Sequence, residues 1–150
     1  MRNKNEYIPL KDKKQTITKI YECCLRYNHD LEDIILKTRP IYTLPLQDYY
    51  DLVRMIPYSE DNEGLEIIGR PKRIITFPSL DCKKKAILIG SFCAYHNYPY
   101  RFAVVSQRKD MEFHHIFPEI KINGKWISFD ATYSDYYIGQ IKPYTAKEVY

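Results

Sequence analysis

Apolar residues recur at helical spacing along the first quarter of the chain. Over residues 13–37, Ile17, Ile20, Tyr21, Cys24, Leu25, Leu31, Ile34 and Ile35 supply one stripe, and Asn28-His29-Asp30 is a candidate break into two helices. Thr38-Arg39-Pro40 ends this stretch, because the residue before a proline avoids the helical region. Residues 41–46 read as extended. Residues 47–56 predict a short helix with Tyr50, Val53 and Ile56 on one side, closed by Pro57. Residues 59–64 form a polar turn with Gly64 as its hinge, and residues 65–68 a short strand. Gly69-Arg70-Pro71 and Phe77-Pro78-Ser79 then bracket a loop. That loop leads into a helix over residues 79–96, with Ser79 or Asp81 as its N-cap. Cys82, Ala86, Ile89 and Cys93 recur at helical spacing, and so do Leu88, Phe92 and Tyr95, which covers much of the circumference and predicts a buried helix.

After Asn97-Tyr98-Pro99 the period changes from helical to two. Residues 100–106 carry Phe102, Val104 and Val105. Residues 112–122 place Phe113, His115, Phe117 and Glu119 on one face and His114, Ile116 and Ile120 on the other. Residues 125–131 carry Trp126, Ile127 and Phe129, and Asn123-Gly124 joins the last two runs as a hairpin. The polar residues 1–12 read as a loose arm, and residues 145–150 as a final helical turn after a tyrosine-rich tail. Helices first and antiparallel strands afterwards predict an α+β fold in a single domain spanning residues 1–150, since no repeat or long linker divides the chain.

Composition narrows the function classes. With 45% hydrophobic and 28% charged residues in 150, the chain is globular rather than disordered. A net charge of +4 is too weak to argue for nucleic acid, and no apolar run reaches membrane-spanning length. Neither a secretory signal nor a C-x-x-C pair is present, so the four cysteines, Cys23, Cys24, Cys82 and Cys93, read as reduced thiols of a cytoplasmic protein with no metal site and no cofactor. The fifteen tyrosines read as core filler with wet hydroxyls in preference to a binding surface.

Candidate chemistry centres on Cys82 in the first helical turn, where the helix dipole and unpaired N–H groups favour a thiolate. Lys83, Lys84 and Lys85 put cations at the end of a helix that disfavours them, which points either to function or to a solvated face. The Asn123-Gly124 turn lies midway between His115 and Asp130, so hairpin pairing brings an acid within reach of an imidazole. A thiol, a histidine and an orienting acid make a nucleophile–base–orienter set. Cys23, Cys24 and Cys93 are explained by packing, and Arg70-Pro71-Lys72-Arg73 is an anion-binding or merely solvated basic loop.

Leu80-Asp81-Cys82-x-x-x-Ala86, His115-Ile116-Phe117-Pro118-Glu119-Ile120 and Trp126-Ile127-Ser128-Phe129-Asp130-Ala131-Thr132, in that order, resemble the transglutaminase-like superfamily. The resemblance implies a papain-like core over residues 45–135 with an N-terminal helical extension over residues 1–44. It also implies Cys82 as nucleophile, His115 as base and acid, and Asp130 as orienter. His115 is preferred to His114 because only His115 sets Phe117 and Glu119 at the family offsets. Leu80 stands where the family carries glycine. Residues 48–73 resemble the lead-in of phage-borne members. The implied activity is that of a thiol-dependent hydrolase or acyltransferase acting on a peptide, isopeptide or carboxamide bond of a peptide or protein substrate, with hydrolysis favoured over cross-linking. The alternative is a non-catalytic structural or interaction module, such as a virion component contacting other virion proteins through tyrosine-rich surface. Nucleic-acid binding through Lys83–Lys85 and Arg70–Arg73 is the weakest reading.

Overall fold

The structure, a computed structural model, describes residues 6–7, 13–60, 67–106 and 114–150. In chain order the elements are β1 (Glu6–Tyr7), α1 (Lys13–Tyr27), a 3-10 turn (Asn28–Glu32), β2 (Ile35–Leu36), β3 (Arg39–Pro40), a 3-10 turn (Ile41–Thr43) and α2 (Leu46–Arg54). They continue with β4 (Ile67–Ile68), α3 (Pro71–Ile74), α4 (Cys82–His96), β5 (Tyr100–Ser106), β6 (His115–Ile122), β7 (Lys125–Ser128) and β8 (Ala146–Val149). A four-stranded antiparallel sheet has the order β7-β6-β5-β8, while β1 pairs with β4 and β2 with β3 as separate antiparallel ribbons. This is the α+β class expected.

Helix α4 forms the centre of the core. Asp81 caps it, accepting a hydrogen bond from the backbone N–H of Lys84 at 2.9 Å, and Asn97 ends it in the left-handed conformation. Every residue from Lys84 to Cys93 is buried. Gly90 is the point of closest approach: a Cβ there would lie 2.7 Å from Cys24 Sγ on α1 and 2.8 Å from Phe102 Cζ on β5. Phe102, Val104, Ile116 and Ile120 belong to the same core as α4, whereas Ala103, Val105 and Phe117 form a small cluster of their own, as strand alternation requires.

The lysine run is not a solvated face. Lys83 Nζ lies 2.8 Å from Asp81 Oδ2 and Lys84 Nζ 3.6 Å from Asp81 Oδ1. Burial works against the Asp81 charge, but Lys83 and Lys84 more than offset it and hold the carboxyl below its usual range. Lys85 is 1% exposed and donates to the carbonyl oxygens of Ile56 (2.6 Å), Thr132 (2.8 Å) and Arg54 (3.4 Å). These cations are spent on the interior, which leaves only the Arg70–Arg73 loop of the two basic stretches on which the nucleic-acid reading drew.

Several elements differ from expectation. The helical stretch over residues 13–37 breaks after Tyr27, at the candidate break, where the Asn28 amide turns back to the carbonyls of Cys24 (3.0 Å) and Leu25 (3.1 Å), but no second α-helix follows within it. The break at residues 28–30 is a 3-10 turn held by Asp30, which accepts from Arg70 Nη2 at 2.6 Å and Nε at 2.9 Å. Leu25 and Ile35 leave the predicted stripe and are exposed. The segment expected to be extended over residues 41–46 winds into a 3-10 turn before α2, and the loop after Gly69 contains α3, with Pro71 at its first position. Residues 145–150 make strand β8, not a helical turn, because the seven-residue β5 would otherwise expose an unpaired edge. The tyrosine hydroxyls of the core are not wet: Tyr49 donates to Leu88 O and Tyr50 to Asp130 O, each at 2.7 Å. The arm at residues 1–5 and 8–12, the turn residues 61–64, strand positions 65–66 and strand positions 112–113 lie outside the described residues. The expected hairpin is present, with Asn123 and Gly124 both at positive φ (51° and 79°) as a type I′ turn demands.

Gly90→Ala forces its new methyl against Cys24 and Phe102. We expect it to destabilise the fold by about 1–3 kcal/mol, read as a lower urea midpoint with an unchanged m-value.

Candidate active site

Cys82 is the first residue of α4, at the positive end of a fifteen-residue helix. The turn before it is clamped to the chain after α2. Leu80 N–H donates to Pro57 O at 2.9 Å, Ser59 N–H donates to Leu80 O at 3.1 Å, and the Ser59 and Ser79 hydroxyls lie 2.6 Å apart. Leu80 is itself a core residue. Among the described residues, the non-glycine positions at positive φ are Lys37, Asn97 and Asn123, so leucine at position 80 carries no backbone strain.

His115 opens β6 on the same face as Phe117 and Glu119. The β6–β7 ladder pairs Ile122 with Lys125 and Glu119 with Ser128, and one step further Phe129 N–H still donates to Pro118 O at 2.9 Å. Asp130 therefore arrives diagonally across from His115, and its Oδ2 lies 2.6 Å from His115 Nε2. The Cys82 side chain is close enough to act on the ionisation of this imidazole. With Nε2 facing Asp130, Nδ1 is the nitrogen left for the sulfur. The three residues singled out from sequence are thus brought together, with Cys82 and Asp130 both buried. His114 is exposed, and its backbone N–H donates to Val105 O.

Burial by itself would push the His115 imidazole down. The hydrogen bond to Asp130 and the proximity of Cys82 reverse this and raise it to about 10. Asp130 does two jobs at once. While Oδ2 faces the imidazole, Oδ1 accepts from the Thr132 N–H at 3.1 Å and from the Thr132 hydroxyl, and the Asp130 carbonyl accepts from Tyr50.

Three tyrosines flank this cluster that sequence reasoning did not single out. The Tyr58 and Tyr133 rings are 4.6 Å apart and those of Tyr133 and Tyr136 5.1 Å apart. Burial first, and then the nearness of Cys82 to Tyr58 and of Asp130 to Tyr136, push these two phenols up. The signal available was only the tyrosine count. Thr132 was visible as the last letter of a motif, and Lys85 only as one of three lysines.

A cavity of about 240 Å³ opens on the His115 face of the sheet, lined in part by Phe117, Glu119, Trp126, Asp130 and Tyr136. Glu119 is buried there with both oxygens engaged, by Arg101 Nε and Lys147 Nζ at 2.7 Å each. The Arg101 guanidinium lies 4.3 Å from the centre of the Trp126 ring. Ile141, another lining residue, is 86% exposed. Among the described residues no cluster of three or more His, Cys, Asp or Glu is arranged to hold a metal ion, and no helix is long and apolar enough to cross a membrane.

No family model matches the chain, and no curated protein matches it at a significant level. Among solved structures it is similar to a "Putative Cysteine Protease from Cytophaga hutchinsonii", at 16% identity and a TM-score of 0.45. The match covers 97% of this chain and 58% of that one, so the chain spans a little over half of that protein's length.

The held imidazole proton makes stability pH-dependent. The folded value of about 10 exceeds the ordinary 6.5, so this contribution is full below pH 6.5 and is lost as pH rises through 10. Between pH 7 and 10 the unfolding free energy of the wild type should fall by up to about 4 kcal/mol more than that of His115→Ala. Parallel curves from chemical denaturation would mean that the proton is not held.

Proposed function

We propose that this chain is a cysteine hydrolase of the transglutaminase-like, papain-like type, acting on a peptide, isopeptide or carboxamide bond. The observation that carries the reading is the single imidazole held between the Cys82 thiol and the Asp130 carboxylate. We assign residues 45–135 to its core and residues 1–44 to an N-terminal extension.

In this reading the Cys82 proton already rests on His115 Nδ1 before substrate arrives, as a thiolate beside an imidazolium, and the sulfur attacks the substrate carbonyl carbon. The resulting oxyanion is met by the backbone N–H of Cys82 at the start of α4. His115 then gives its proton to the departing amine nitrogen, the C–N bond breaks, and an acyl-thioester remains on Cys82. Water attacks that thioester while His115 removes its proton. Collapse expels the thiolate and releases the acid. Asp130 holds the imidazole through its Nε2 side, so that Nδ1 is the nitrogen that exchanges the proton. An amine in place of water would give acyl transfer by the same steps.

The test is the rate of iodoacetamide alkylation of Cys82 against pH, assigned to its site by mass spectrometry. We expect rapid labelling at pH 6 in the wild type. In His115→Ala the profile should move towards that of a free thiol, with a midpoint near about 8.5. A Cys82 that is inert, or that titrates as a free thiol in both proteins, overturns the enzyme reading and leaves the non-catalytic interaction module in its place.

A further inference from the structure

Lys85 lies one turn after Cys82 on the same helix and is 1% exposed. A lysine is an expensive residue for that place: burying an ammonium costs several kcal/mol unless its protons find acceptors. An apolar side chain of similar length would fill the volume without that cost. Here the acceptors are the carbonyls of Arg54, Ile56 and Thr132, and the Asp130 carboxylate acts on the ammonium by its charge.

These carbonyls belong to two segments that otherwise have separate routes through the fold. Arg54 is the last residue of α2 and Ile56 follows it, whereas Thr132 lies in the turn after β7. Thr132 is also the residue whose N–H and hydroxyl hold Asp130 Oδ1, while Asp130 Oδ2 faces His115. A second connection runs in parallel: α2, held at its end by Lys85, carries Tyr50, whose hydroxyl holds the Asp130 carbonyl. The contacts form a series: ammonium, Thr132, carboxylate, imidazole and thiol. That series begins and ends on the first turns of α4.

We propose that Lys85 is a positioning residue for the Cys82–His115–Asp130 set. By clamping the Thr132 carbonyl and the end of α2, it fixes the Asp130 carboxylate, and through it the His115 imidazole, relative to the thiol carried one turn earlier. This rests on the catalytic reading above and adds to it. The spacing between thiol and imidazole is set by helical geometry, because one helix supplies both the nucleophile and the clamp.

The experiment compares the pH profile of Cys82 alkylation by iodoacetamide, together with the thermal midpoint, in the wild type, Lys85→Met and Thr132→Val. With a loosened Asp130 the imidazolium is less well held, and we expect the Lys85→Met profile to move up by about one pH unit. A purely structural lysine would lower the thermal midpoint and leave the profile where it was, which overturns the proposal. Should Lys85→Met not fold, Thr132→Val decides, because it leaves the three Lys85 contacts in place and removes only the hydroxyl link to Asp130. A shift of about half a unit in the same direction is expected, and an unchanged profile overturns the proposal. A wild-type Cys82 that is itself inert would instead bring down the hydrolase reading, so the two failures are distinguishable.

Discussion

A helix surrounded by protein must satisfy its polar end without water, and α4 is such a helix. Its first turn carries orphan N–H donors, a thiol and three lysines into an interior where an unpaired charge is costly. Each is met locally. Asp81 takes up the Lys84 N–H and the ammonium groups of Lys83 and Lys84, while Lys85 finds carbonyls. Because these partners come from the chain after α2 and the turn after β7, satisfying one helix end also brings those segments together around Cys82. The assembly of the site follows from the burial of the helix.

The sheet contributes by a different rule. Alternation puts Ile116 and Ile120 against α4 and His115, Phe117 and Glu119 on the opposite face, and the type I′ turn fixes which residues of β7 and the following turn lie beside them. A slip of one residue in that hairpin would turn His115 away from Asp130. Asn123-Gly124, remote from the site in space, thus governs it through register.

What could be read in the sequence was whatever a local rule decides. The N-cap at Asp81, the Asn-Gly turn, the alternation of β6 and the helical period of α4 each depend on neighbours within a few residues, and together they placed Cys82, His115 and Asp130 near one another. What could not be read depends on distant partners. The end of α1 at Tyr27 was legible in Asn28-His29-Asp30, but the bond from Arg70 that holds Asp30, forty residues away, was not. Strand β8 exists because β5 has an edge to fill, and nothing within residues 145–150 announces that. Lys85 looks like its two neighbours in the sequence, but they meet the Asp81 carboxylate and it meets backbone carbonyls. Tyr49 and Tyr50 are core filler, as the sequence suggested, but their hydroxyls end on carbonyls, which only a packed structure reveals.

The tryptophan at the cavity has an optical consequence. Trp126 is the only tryptophan in the chain, it is partly exposed, it lines the cavity on the His115 side of the sheet, and the Arg101 guanidinium lies over its ring. Its fluorescence is therefore undiluted by any other indole and arises at the wall that a cavity occupant would touch. The protein carries a built-in reporter on that space, readable without a label and without turnover.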